Sequence, residues 1–102
     1  MKIRLALAAL AALTFTAAAQ APTYKREVPA KLLSQATITE DSAVKLAMKA
    51  VPTGTIKSLE LEKEKGKLIW SMDMTVPGKS GIDEVNIEAV TGAVLPVQHE
   101  AN

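Results

Sequence analysis

Carboxylates stand in pairs along this sequence, at Glu40-Asp41, at Glu60 and Glu62, and at Asp83-Glu84. Two carboxyls in one shielded cleft, with their pKa values pushed apart, can perform general acid–base chemistry. Glu60 and Glu62 lie two apart on a strand-like stretch, interspersed with Lys57, Lys63, Lys65 and Lys67. That pattern describes a solvated charged face and not a shielded cleft. His99, the sole histidine, sits beside Glu100 near the chain end; one imidazole and one carboxylate do not make a metal site. Met72 and Met74 alternate on one strand face and would suit Cu(I). A buried strand face gives the same spacing, and methionine fills cores readily. No glycine-rich nucleophile turn surrounds a serine and no phosphate loop is present. One Trp, one Tyr and one Phe are too few for base stacking. No catalytic, cofactor-binding or metal-ligating residue is therefore assigned, and no cofactor is expected.

The elements that carry these residues can be read from their periodicity. In ITEDSAVKLAMKAVP, Thr39 is a good N-cap and Glu40 and Asp41 fall in the first turn, where the helix dipole favours negative charge. Ala43, Leu46, Ala47 and Ala50 follow the i, i+3, i+4, i+7 spacing of one buried face. Val44, Met48 and Val51 widen that face, and Lys45 and Lys49 lie opposite. Pro52 and Gly54 end the helix. The many alanines predict a helix lying close against a sheet.

Three strands are expected next. In Thr55–Lys63, Leu59 and Leu61 alternate with polar residues. In Lys67–Val76, Leu68, Trp70, Met72, Met74 and Val76 share one face, and Ile69, Ser71, Asp73 and Thr75 share the other. Glu64-Lys65-Gly66 reads as a hairpin loop between them, and Pro77-Gly78 opens the following turn. In Asp83–Ala89, Val85, Ile87 and Ala89 face inward. Thr91-Gly92 then breaks the strand, with Gly92 supplying a positive φ. Ala93-Val94-Leu95 resumes as a short edge segment, and Pro96 ends pairing. Strands with one apolar face suit an antiparallel sheet wet on its other side. The expected fold is thus α+β: one main helix on a three-stranded or four-stranded antiparallel sheet, in two layers.

The ends differ in character from this middle. Lys2 and Arg4 precede an apolar run, Leu5 to Leu13, and Ala17-Ala18-Ala19 offers a signal-peptidase site. Residues 1–19 are expected to be a signal peptide cut before Gln20, so the chain is read as exported, periplasmic or secreted, with no membrane anchor after cleavage. Residues 20–37 form a leader with Pro22 and Pro29, partly ordered, in which Lys31 to Ala36 supplies one or two helical turns. Residues 98–102 are read as a tail, with His99 on a mobile terminus. Loss of Lys2 and Arg4 turns the formal charge from +1 to −1, a balance that excludes a nucleic-acid partner. With no cysteine, the domain rests on its core alone, and pairing with a second copy is one way to gain burial.

The order of helix, Val51-Pro52, Gly54, strand, turn, strand, turn, strand and Thr91-Gly92 resembles the PepSY domain, named for the propeptides of certain secreted peptidases and a spore-associated protein. The matching residues are Ala43, Leu46, Ala47 and Ala50, then Leu59-Glu60 and Leu61-Glu62, Gly66-Lys67-Leu68-Ile69-Trp70, and Glu84 to Ala89. Glu88 stands where the family often has Asp, and Trp70 where it often has Tyr. The resemblance covers residues 38–97. It implies a helix-on-sheet module that regulates or inhibits peptidases near the cell envelope, and it carries no catalytic residues. The expected function is an exported, non-enzymatic binding module whose partner is a protein, an envelope peptidase. The alternative is a small ligand- or ion-binding periplasmic protein acting as a homodimer.

Overall fold

The computed structural model describes residues 23–102. The expected signal peptide lies outside the described residues, as do the first residues of the leader, 20–22. In chain order the elements are β1 (Lys25–Glu27), α1 (Ala30–Leu33), α2 (Glu40–Ala50), β2 (Thr55–Glu64), β3 (Lys67–Thr75), β4 (Ile82–Glu88) and β5 (Gln98–Glu100).

Helix α2 begins as its sequence dictates. Thr39 is extended (φ −75°, ψ 161°), and its Oγ1 accepts the Ser42 N–H at 3.1 Å. Ala43 and Ala47 are fully buried, so the helix backbone approaches the sheet closely. Ala50, expected on the buried face, is exposed. The stripe shifts at the last turn, where Val51 leaves the helix (φ −132°) and turns its side chain inward, 8% exposed. Gly54 is a close-approach position: a Cβ there would meet the Met74 methyl and Val51 Cγ1 at 2.9 Å. The leader helix α1 starts after extended Pro29 and is a single turn.

The sheet differs from expectation. It has five strands in the order β1-β2-β3-β4-β5 and is mixed, with β1 parallel to β2 and the other pairings antiparallel. The two strands beyond the expected sheet come from the leader and the tail. Both have three exposed residues, KRE and QHE, and show no hydrophobic alternation. They join through backbone pairing and side-chain ties, with Tyr24 and Val28 beside β1 packed against the core. The β2–β3 hairpin closes through Lys65-Gly66, both with positive φ (51° and 82°), a type I′ loop whose twist matches the strands.

The strand breaks at Thr91-Gly92 as predicted. Gly92 has φ 81°, and its N–H donates to the Glu88 carbonyl at 2.8 Å. Val94 then bridges back to Ile87, and the Leu95 N–H donates to the Asn86 carbonyl at 2.9 Å. Pro96 does not end pairing, however. The chain resumes two residues later as β5, with His99 opposite Asp83 on the outer edge of β4.

Trp70, Leu59, Met72, Met74, Ile87 and Val85 are the large side chains fully buried under the helix. The Trp70 Nε1–H donates to the Ile38 carbonyl at 2.9 Å, which ties β3 to the residue preceding the helix cap. Ile69 is on the opposite face by strand parity, yet it is only 3% exposed.

Candidate functional site

Three groups of chemistry-bearing side chains are assembled by this fold. The first joins the leader to the helix. Arg26 on β1 grips Glu40 in the first turn of α2, with Nη2–Oε1 at 2.6 Å and Nε–Oε2 at 2.9 Å. The Tyr24 hydroxyl donates to Glu40 Oε2 at 2.8 Å. Hydrogen bonding from Arg26 holds the Glu40 carboxyl below the usual range. Burial, then the bond to Glu40, pushes the Tyr24 phenol up to about 12. A carboxylate so held is a structural clamp: its acceptor sites are taken and it has no basicity to lend. Asp41, its sequence neighbour, points away to Lys45 at 3.2 Å in an exposed pair.

The second group fastens the chain end. Asp83 is 5% exposed on the core side of β4. Lys79 Nζ lies 3.1 Å from one of its oxygens, and His99 Nδ1 lies 2.7 Å from the other. The hydrogen bond from His99, then that from Lys79, lowers the Asp83 pKa, so the carboxylate only accepts and Nδ1 carries the proton. This corrects the expectation of a mobile terminus around His99. An Asp–His pair is the orienting half of a hydrolytic triad, but among the described residues no hydroxyl bonds the other ring nitrogen. Lys79 on the second Asp83 oxygen completes a clamp for β5.

The third group is the outer face of the sheet, opposite α2. Strand parity and register place Ser58, Asp73 and Glu84 in one row across it, Glu60, Ser71 and Asn86 in the next, and Glu62, Ile69 and Glu88 in a third. Glu88 pairs with Lys67 at 3.1 Å, and Ser71 donates to Glu84 at 3.2 Å. Burial, then the hydrogen bond and charge of Glu60, pushes the Glu62 carboxyl up to about 7; Glu64 and Glu84 add to it. Burial and the charges of Glu84, Glu100 and Glu60 raise Asp73 as well. Glu60 and Glu62 thus lie on the solvent side, as their spacing predicts, but they belong to a larger acidic field. Sequence reading missed that field, because Asp73, Glu84 and Glu100 converge only through cross-strand register.

Met72 and Met74 are fully buried beneath the helix, packed with Trp70 and Val85. They are core residues. Among the described residues no helix is long and apolar enough to cross a membrane.

The helix, hairpin and Thr-Gly turn agree with one family. The family model described as "PepSY: Peptidase propeptide and YPEB domain" matches residues 37–97. The chain belongs to the PepSY family. No curated protein and no solved structure matches it. The match starts at Thr37, whose N–H with that of Ile38 donates to the Ala89 carbonyl at 2.9 and 2.8 Å. PepSY membership is consistent with a peptidase-related binding module. β1, α1 and β5 lie outside the matched residues, so both outer strands of the sheet are additions to the PepSY segment of this chain.

Proposed function

We propose that this PepSY protein is an exported, non-enzymatic binding module that engages a cell-envelope peptidase and regulates or inhibits it. The observation that carries the reading is the match over residues 37–97 to a family described by peptidase propeptides and the YPEB domain. The geometry supports it. Glu40, Asp83 and Glu88 are each held by a cation and a neutral or imidazole hydrogen bond, as structural groups are. The sheet meanwhile keeps one face free of helix. Export is supported by the basic, apolar and small-residue regions of residues 1–19.

The test is photo-crosslinking in intact cells with the probe on the outer sheet face, followed by mass spectrometry of captured proteins. A peptidase should be captured, and adding purified chain to it should change its turnover. Capture of only a second copy, together with a small molecule or ion retained in native mass spectrometry, would replace this reading with a ligand-binding homodimer. Protein recovered from the envelope should begin at Gln20; an intact Met1 would remove the export claim.

A further inference from the structure

One face of the sheet is closed by α2, whose contacts run to β3 and β4. The other face carries carboxylates in an unusual state. Among the described residues, Glu40, Asp41, Asp83 and Glu88 each have a cation within 4 Å. Glu60, Glu62, Asp73, Glu84 and Glu100 have none, although they share one surface. Lys67, on the same face of β3, is already paired with Glu88. A self-repelling field of this kind favours an incoming cation.

A second feature lies on the same face. A shallow cavity of about 340 Å³ is lined by Ile69, Leu95, Glu84, Asn86 and Gln98, with Glu64, Lys65 and Lys67 completing its wall. Ile69 is 3% exposed, so the cavity has an apolar residue at its base. The Asn86 Oδ1 is buried with no hydrogen-bond partner among the described residues. A buried acceptor without a donor is costly, and an arriving N–H would relieve it.

The spacing of the carboxylates selects the kind of ligand. Glu60 and Glu62 are two residues apart on one strand, about 6.5 Å along it. Asp73 and Glu84 face each other across strands, about 5 Å apart at Cβ. Among the described residues no three of these groups come together as a metal site, and their row matches alternate side chains of an extended chain. We propose that the outer face between Glu60, Glu62, Asp73 and Glu84 is a docking surface for an extended, cationic segment of a partner protein, with Lys or Arg at alternate positions. This deepens the binding-module reading and rests on it.

The experiment uses the full chain and two fluorescent peptides of equal charge, one with lysines at alternate positions and one with lysines contiguous. Anisotropy is read at pH 8, in low salt and at 0.3 M salt. The alternating peptide should bind at least threefold more tightly than the contiguous one, and weaken at least tenfold with salt. The double variant Glu60→Gln/Glu84→Gln should lose at least tenfold in affinity with no fall in its melting temperature. Asp41→Asn, on the helix side, should bind as wild type does. Equal binding by the double variant, equal binding of the two peptides, or no binding in low salt would each overturn the proposal. The intact-cell crosslink separates the two levels. A peptidase captured equally by the double variant leaves the module reading standing and removes this surface; no peptidase captured by either form removes the module reading itself.

Discussion

Replacing Trp70 tests whether the core and the helix entry are one unit. Trp70 is fully buried, and its Nε1–H reaches the Ile38 carbonyl at 2.9 Å. Trp70→Ala removes the largest core side chain and should cost about 3–5 kcal/mol, as large-to-small core changes do. Trp70→Phe keeps most of the ring but loses the donor. The lost bond accounts for about 1 kcal/mol net, and incomplete filling adds about another 1 kcal/mol. A loss of about 2 kcal/mol lowers Tm by roughly 8–16 °C in a domain of this size. Urea denaturation should be followed by far-UV circular dichroism, because either variant removes the only Trp. The m-value should be unchanged, since the surface exposed on unfolding is nearly the same. Amides in the first turn of α2 should also exchange faster in Trp70→Phe, because the tie to Ile38 is gone. A Phe variant as stable as wild type would refute the role of that bond. An Ala variant within about 1 kcal/mol of wild type would refute the core assignment itself.

Other outcomes follow from the turns and the charged face. The folded Glu62 carboxyl titrates at about 7, above its ordinary 4.5, so the folded state holds the proton more tightly than the unfolded chain. Stability should be greatest below about pH 4.5 for this group and fall as pH rises through 7. Glu62→Gln should remove that fall and raise stability at pH 8 by about 1 kcal/mol after solvent screening, read from urea midpoints against pH; a pH slope unaltered by the variant would refute it. At Gly81 a Cβ would clash with the Glu100 carbonyl and come within 2.9 Å of Ala101 Cα. Gly81→Ala should therefore loosen β5, seen as faster amide exchange at its pairing with β4, with a loss of about 2 kcal/mol. Gly92 has φ 81°, so Gly92→Val should cost about 1–3 kcal/mol; an unchanged melting point would mean the backbone there adapts freely.

The middle of the fold was legible because its patterns have periods. Thr39, Ala43 and Ala47 mark a capped amphipathic helix, and Leu59, Leu61, Trp70, Met72, Val85 and Ile87 alternate as strands do. The outer strands lack such a signal. KRE and QHE are exposed and carry no hydrophobic alternation of their own. Their attachment depends on Arg26 meeting Glu40 and His99 meeting Asp83, contacts between residues 14 and 16 apart in sequence. Parity puts Ile69 on the outer face, but its near-complete burial there is not written in the strand pattern. The acidic field has the same origin: each carboxylate is visible in the sequence, whereas their convergence is a property of register.

The spatial order of the strands is also their order along the chain. Every antiparallel partner is therefore a near neighbour in sequence, and the β2–β3 hairpin needs only Lys65-Gly66 to close. Loops this short cost little chain entropy to close. Such a meander should reach its native state faster than Greek-key sheets of equal size, whose strands must wait for distant partners. The one pairing that spans helices, both α1 and α2, is β1 with β2, so the leader strand is expected to dock last and release first. A population with β1 detached and the other strands intact would then be the first excursion from the native state. Its N-terminal segment would be open to a protease while the core stays closed.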